Sequence, residues 1–296
     1  FLFLGITITA QTTKKELQAT RIQEPPVIDG KLDDAAWKDA AIAKDFVMFR
    51  PGDGDPEPEN QKTEVKILYD NQAIYVGAYL FDDEPDKIMR QLSERDNLGT
   101  SDFFALGISP NNDGQNEYEF FVSAGATQLD AQVSPANGED FSWSEVWFSE
   151  VSFVDKGWYV EMKIPYAALR FADGKDMTWG LNFQRRIESS REQYVWNYID
   201  KSTGRPSQYA GLLKGLKDID PPTRLSFSPF ASFVLDSYDG NTDTNLNFGM
   251  DVKYGITDNF TLFATLVPDF SQAGFDNVVL NLGPFEQVFS EQRQFF

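Results

Sequence analysis

Between Thr63 and Ile199 the chain is a succession of short apolar or alternating runs, each closed by Asp, Asn, Gly or Ser, with almost no stretch of helical period. This pattern constrains the fold more than any other feature. The run TEVKILYDNQAIYVGAYLF, Thr63–Phe81, breaks at Asp70-Asn71 and predicts a hairpin. Further strands are predicted at Asp102–Ser109, Glu117–Ser123, Gln128–Val133, Glu145–Val154, Gly157–Ile164, Thr178–Ile187 and Gln193–Ile199, and PYAALRF, Pro165–Phe171, predicts a helical turn. Short strands at regular spacing bury one face each and specify an all-β sandwich. A chain of 296 residues, 41% of them hydrophobic, can fill its core.

Pro26–Trp37, PVIDGKLDDAAW, reads as a strand, a tight turn and an acid-capped helical turn. Val27 and Ile28 are β-branched, Asp29-Gly30 supplies a turn with positive φ, and Asp33 or Asp34 is placed to accept the first free N–H groups ahead of Ala35. The Pro- and acid-rich stretch Pro51–Asn60 has no periodicity and is expected to be a solvated, mobile loop.

Composition excludes several functions. A formal charge of −20 repels phosphates, so no nucleic-acid partner is expected. With neither Cys nor His, the chain holds no Ser-His-Asp triad, no Cys-His dyad and no thiolate or imidazole metal site. Catalysis would rest on carboxylates, Lys, Tyr or a hard, oxygen-bound metal. Residues 1–10, FLFLGITITA, are too short an apolar run to span a bilayer and read as the end of a secretory signal peptide cleaved after Ala10, with an ordinary N-terminal strand as the alternative; on the first reading the chain begins inside a precursor. After Pro221-Pro222 the strands lengthen, and Leu246, Phe248, Met250, Val252, Tyr254 and Ile256 point one way. That two-residue period is the pattern of a transmembrane barrel or of a large one-sided sheet. Three strands cannot close a barrel, so the protein is expected to continue beyond Phe296.

The IDG-x-LDDAAW pattern at Ile28–Trp37 resembles the opening of the family 9 carbohydrate-binding modules. Together with Ser101–Glu150, MKIPYAALRF, WGLNFQRRI and the tail motifs PDFSQ and PFEQVFSEQRQFF, it is similar to a family of Gram-negative outer-membrane proteins. In that family a domain of this type precedes a long β-barrel region of unknown function. The resemblance implies a signal-peptide remnant at residues 1–10, a jelly-roll-like β-sandwich at 21–220, and the first antiparallel strands of an outer-membrane β-barrel at 221–296. It implies a glycan or polysaccharide partner and a place in the cell envelope. In characterised family 9 modules a sugar sits between two tryptophans, with an Arg and a Glu close by. Those positions fall near Gly99, Gly204, Phe121 and Ala105, so the sandwich is expected without that clamp.

A relocated site is therefore sought among the remaining residues. Alternation in WGLNFQRRI puts Trp179, Leu181, Phe183 and Arg185 on one face and Asn182, Gln184 and Arg186 on the other. A patch of Asn182, Gln184 and Arg186 with Trp143 or Trp196 combines an aromatic platform with the hydrogen-bonding groups that sugar hydroxyls need. Phe141, Trp143 and Trp147 share one side if their segment is extended. The same tryptophans also suit a sandwich core, and the arginines suit ion pairs. Calcium is the cofactor the composition allows, through Asn111, Asp113 and Glu117 of the loop NNDGQNE, although turn chemistry accounts for the same residues. Three functions stay open: a non-catalytic module presenting glycans to the barrel, a structural or protein-interaction domain of an envelope assembly, and a glycoside hydrolase of carbohydrate catabolism. The last needs two facing carboxylates, and Glu117, Glu119, Asp130 and Glu145 are the ones to inspect.

Overall fold

The computed structural model describes residues 14–171, 174–202, 204–219, 223–238, 241–256 and 260–266. The segment read as a signal peptide, residues 1–10, and the tail motifs beyond residue 266 lie outside the described residues. The chain divides after Pro222 into two compact units.

In the first unit the early strands are β1 (Glu16–Gln18), β2 (Thr20–Arg21), β3 (Ile42–Ala43), β4 (Val47–Arg50), β5 (Thr63–Tyr69) and β6 (Ala73–Phe81). The middle ones are β7 (Phe103–Ser109), β8 (Glu117–Ser123), β9 (Gln128–Ser134), β10 (Gly138–Asp140), β11 (Phe148–Val154) and β12 (Gly157–Pro165). The last are β13 (Gly174–Ile187), β14 (Glu192–Val195) and β15 (Gly211–Ile219). The larger sheet runs β1-β15-β13-β7-β8-β9-β10, with β14 joining β13 to β4, and the smaller runs β11-β12-β6-β5-β2, with β3 on β5. The architecture is the all-β sandwich expected, including the hairpin at Asp70-Asn71 and a single 3₁₀ turn at Tyr166–Ala168 within the run read as helical.

Period-two alternation decides what lies between the sheets. Phe104, Leu106 and Ile108 of β7, Phe120 and Val122 of β8, and Trp179, Leu181 and Phe183 of β13 face Val65, Ile67, Val76, Leu80, Trp158 and Met162 in one buried core. Arg185 shares that inner face and is 1% exposed. Its guanidinium donates to the carbonyls of Gln61 (2.7 Å) and Phe81 (2.9 Å) and pairs with Asp82 at 3.6 Å. The charge is tolerated because those dipoles and Asp82 stand in for water.

The Pro26–Trp37 segment plates the outer face of the smaller sheet. Trp37 lies over Gly77 of β6, where a Cβ would stand 3.0 Å from the indole, and closes a second cluster with Leu68, Ala73 and Tyr75. The buried Glu161 of β12 fastens the segment by accepting from Asp29 N (2.9 Å), Gly30 N (2.8 Å) and Trp37 Nε1 (3.0 Å). Gly30 has φ +80° and abuts β11, so the turn read from Asp29-Gly30 is present. Two expectations change. Val27 and Ile28 join no strand, and the helical turn is a single 3₁₀ turn, Ala35–Trp37, without a side-chain cap. The Asp34 backbone carbonyl already takes Trp37 N, which leaves its carboxylate to accept Val27 N at 3.0 Å. The Pro51–Asn60 stretch is also more anchored than expected: Glu57 is buried, and it both donates to Phe46 O and accepts Phe46 N.

The second unit is an antiparallel sheet of β16 (Leu225–Tyr238), β17 (Asn241–Gly255) and β18 (Thr261–Leu266). Register sets Phe227 opposite Val252, Phe233 opposite Leu246, Ala231 opposite Phe248 and Tyr254 opposite Leu262, so one face is apolar along all three strands. Phe227, Phe233, Leu246, Phe248 and Leu262 are exposed. The reverse face carries Ser226, Ser228, Ser232, Asn247, Asp251, Lys253 and Thr265, together with Phe230 and Phe263.

Candidate functional site: the outer face of the larger sheet

On the side of the larger sheet away from the core, three cross-strand rows define a surface. Asn182, Gly107, Glu119 and Ala131 form one row across β13, β7, β8 and β9, and Val195, Gln184, Ala105, Phe121 and Leu129 form the next. The third is Gln193, Arg186, Phe103 and Ser123. Small residues at Gly107 and Ala105 of β7 leave room that the Glu117 carboxyl and a cluster of Phe121, Leu129, Leu98 and Phe103 fill.

The aromatic part is the half-buried Phe103 and the exposed Phe141, both packed on Phe121, which is buried with Ala105 and Leu129. Phe103 and Phe121 meet edge to face with centroids 5.6 Å apart, and Phe141, 40% exposed, packs on Phe121 at 6.2 Å. The polar part is a chain of amides and a guanidinium. Gln193 Nε2 donates to Gln184 Oε1 at 2.6 Å, and Gln184 Nε2 reaches Glu119 Oε1 at 3.4 Å. Arg186 is held by Glu188 at 2.8 Å and donates to Arg191 O at 3.0 Å, which fixes its plane beside Phe103.

Two carboxylates dominate the electrostatics. Glu117 and Glu119 alternate on β8 and point the same way, and both are almost fully buried. A Cβ at residue 107 would collide with Glu117 Oε1, so the glycine there is what admits this carboxyl. Burial, with Glu139 opposite, pushes the Glu117 carboxyl up to about 7. Burial, then the charges of Glu117 and Glu139, raises Glu119 well above the carboxylate range. Glu119 Oε2 has no hydrogen-bond partner among the described residues. A neutral carboxyl is both donor and acceptor, which is the pairing a sugar hydroxyl offers.

Of the residues read from the sequence, Asn182, Gln184 and Arg186 do share this face, and the two tryptophans do not. Trp196 is buried on the core side, its ring 5.7 Å from Phe183, and a platform there is ruled out by packing. Trp143 is half-buried against Tyr118 and Phe120, both on the inner face of β8. Asn182 is spent on structure: its Oδ1 accepts Asn197 N and Phe183 N, and its Nδ2 donates to Asn197 O. β11 begins at Phe148 rather than Glu145, so alternation does not apply over residues 141–147, and Phe141 turns outward while Trp143 and Trp147 pack inward. Phe103 and Phe121 were missed. Parity within Phe103–Ser109 and Glu117–Ser123 would have placed them opposite Phe104 and Phe120, once the latter pair was assigned to the core.

The loop residues read as calcium ligands are drawn into a turn. The Asp113 carboxylate accepts Gln115 N, Asn116 N and Asn116 Nδ2, each at 2.8 Å. Burial opposes ionisation there, and these hydrogen bonds outweigh it to hold the carboxyl below its ordinary value. Glu117 points onto the sheet face, and no group of three or more acidic side chains among the described residues is arranged to hold a metal. Of the carboxylates inspected for hydrolysis, Asp130 lies on the opposite side of the sheet from Glu119, where it pairs with Arg95 and accepts Glu145 N at 2.7 Å. The four therefore do not line one cleft. The positions of the expected clamp are equally altered. Ala105 and Phe121 sit in the middle row of this face, and Gly99 and Gly204 lie in loops where a side chain would crowd Gln91 and Gln208.

Comparison with known proteins agrees with this geometry at the level of the fold. A candidate carbohydrate-binding protein from Bacteroides uniformis has a similar structure, with TM-score 0.53 at 15% identity over 68% of this chain and 99% of its own. A carbohydrate-binding module family 9 from Caldicellulosiruptor kristjanssonii, solved with cellotriose and with glucose, aligns with TM-score 0.47 at 17% identity over 70% of this chain and 100% of its own. No curated protein matches the chain. Residues 221–296 match a domain of unknown function, DUF5916. Residues 28–203, more than half of the chain, match the model described as carbohydrate family 9 binding domain-like, and the chain belongs to that family.

Proposed function

We propose that the sandwich is a non-catalytic carbohydrate-binding domain whose ligand lies on the outer face of the larger sheet, over the exposed Phe141 and half-buried Phe103, which pack on the buried Phe121, and against Gln184 and Arg186. The observation that carries this reading is the juxtaposition itself: an edge-to-face phenylalanine cluster adjoins, within one sheet row, an oriented amide and a fixed guanidinium. Apolar C–H faces of a pyranose suit the rings, and its hydroxyls suit the polar edge. The surface lacks the two-tryptophan clamp, so the reading is of a shallow site that takes part of a chain rather than enclosing one terminal sugar.

Calorimetry of the full chain against soluble oligosaccharides tests it, with Arg186→Ala and Phe141→Ala as comparisons. Binding weakened roughly tenfold by either substitution is expected, the worth of one aromatic or charge-assisted contact. Folded protein that gives no heat with any sugar would instead favour a scaffold or protein-interaction role in an envelope assembly.

The second unit supports a further part of the proposal, that the protein is held in an outer membrane. Its apolar face runs from Leu225 to Leu235 on β16, and a strand crossing a bilayer needs about 9–11 tilted residues. We infer that this face meets lipid and keeps the glycan near the membrane. Flotation with phosphatidylethanolamine and phosphatidylglycerol vesicles checks it: the chain should float, and a Phe227→Ser, Phe233→Ser, Phe248→Ser variant should not. A wild-type chain that stays at the bottom of the gradient would count against it.

A further inference from the structure

A cleft of about 950 Å³ opens where the start of β11 meets the Leu92–Arg95 loop, the Gly125–Gln128 turn and the Pro25–Ile28 segment. It is lined by none of the residues of the sheet-face site. Small-ligand sites occupy ~300–1,000 Å³, so the space suits a short oligomer. Its floor belongs to the outer face of the smaller sheet, where Phe148, Lys163 and Tyr75 form one row. Phe148 is 51% exposed and Leu92 on the facing loop is 84% exposed. The Lys163 ammonium lies 6.0 Å from the Phe148 ring and 5.8 Å from the Tyr75 ring, with no ion pair among the described residues. Ser93, Thr127, Ser149 and Glu150 complete the wall. The loop is latched rather than loose: Arg95 donates to Gln128 Oε1 at 2.6 Å and to Glu145 O at 3.1 Å, and pairs with Asp130.

β11 is an edge strand, and an edge ordinarily invites a peptide strand. This one is obstructed. Gln128 Nε2 donates to Ser149 Oγ at 2.9 Å and to Trp147 O at 3.4 Å, Ser152 Oγ is bonded to Gly30 O, and the Gly30 backbone sits against Val151. What remains accessible is an aromatic face, an ammonium without an ion pair among the described residues, the Glu150 carboxylate and the Ser149 hydroxyl, which accepts from Gln128 and can still donate, while the Ser93 and Thr127 hydroxyls bond each other. We propose that this cleft is a second saccharide-binding site, taking a short stretch of a glycan chain with a pyranose face on Phe148 and hydroxyls on Lys163, Glu150 and Ser149. It shares only the ligand class with the sheet-face reading, and a domain with both sites would grip one polymer at two points and bind long chains more tightly than short ones.

The chain has no cysteine, so Leu92→Cys at the cleft and Glu139→Cys on the sheet face can each carry an environment-sensitive dye in the full-length chain. Titration with cellotriose, xylotriose and mannotriose should give a saturable signal from the Leu92 position with at least one sugar. Adding Phe148→Ala, and separately Lys163→Met, should weaken that signal's midpoint roughly tenfold and leave the Glu139 response unchanged. A response confined to the Glu139 position overturns the cleft proposal alone. A response at the Leu92 position alone upholds it and sinks the sheet-face reading, and silence at both overturns the two together. Equal weakening at both positions by Phe148→Ala and Lys163→Met counts against a separate site. A response to an alternating Val-Thr peptide in place of the sugars overturns the assignment in favour of strand addition.

Discussion

The buried carboxyl of Glu117 makes a quantitative prediction about stability. Its proton affinity rises from an ordinary value of 4.5 to about 7 on folding, because the charged form loses water and faces Glu139. The folded state therefore holds a proton that the unfolded state has released, and stability falls as pH rises from 4.5 towards 7 and then levels. At ~1.4 kcal/mol for each tenfold in affinity the full loss is about 3 kcal/mol, with about 1 kcal/mol of it already present at pH 5. Other carboxyls raised by burial act in the same direction, Asp102 at about 6 among them, so the wild-type profile alone does not isolate Glu117. The Glu117→Gln variant removes that titration together with the charge that helps to raise Glu119, so both effects stabilise it at high pH. It keeps the shape over Gly107, and it is expected to exceed the wild type by about 1 kcal/mol at pH 5 and by at least about 3 kcal/mol at pH 8. All six tryptophans lie between Trp37 and Trp196, so fluorescence-monitored urea unfolding reports the sandwich without interference from the second unit. Parallel profiles for the two proteins, or a variant less stable at pH 8, would refute the assignment of a buried, neutral carboxyl to this face.

Further expected outcomes rest on single contacts and are checked by the same unfolding measurement. Glu161→Ala strips the acceptor from three donors, two of them buried, and should cost on the order of 3–5 kcal/mol, whereas a loss under about 1 kcal/mol would mean that water replaces it. Arg185→Met leaves Asp82 and three carbonyls facing an apolar side chain and is expected to cost about 3–5 kcal/mol at neutral pH. Part of that loss should return when the pH is lowered enough to neutralise Asp102; no recovery would point to lost packing instead. Gly30→Ala places a Cβ 2.9 Å from the Val151 carbonyl carbon at φ +80° and should cost about 1–3 kcal/mol.

The strands β5 to β9 and β12 to β14, the hairpin break at Asp70-Asn71 and the split of WGLNFQRRI into two faces were legible in the chain, because a period of two and a turn residue are local properties that neighbours only reinforce, whereas the short strands β1 to β4 and β10, and the longer β15, were not. The same holds for the one-sided apolar pattern after residue 223. Whether Trp196 or Phe121 faces outward is a different kind of question. Both are aromatic residues in alternating runs, and only the packing of one sheet on the other decides which parity is inside. Residues 141–147 show the limit sharply: read as strand they align Phe141 with Trp143 and Trp147, yet without ladder partners the backbone is free to turn Phe141 onto Phe121 and both tryptophans into the core. The roles of Glu117, Glu119 and Glu161 were equally beyond the sequence. A carboxylate among 46 acidic residues carries no local mark of burial; its chemistry is set by which distant groups remove its water, here Gly107 across β7 and the Asp29-Gly30 turn more than a hundred residues away. Local chemistry thus determined the elements of this protein, and desolvation by long-range packing determined which of its polar groups can act.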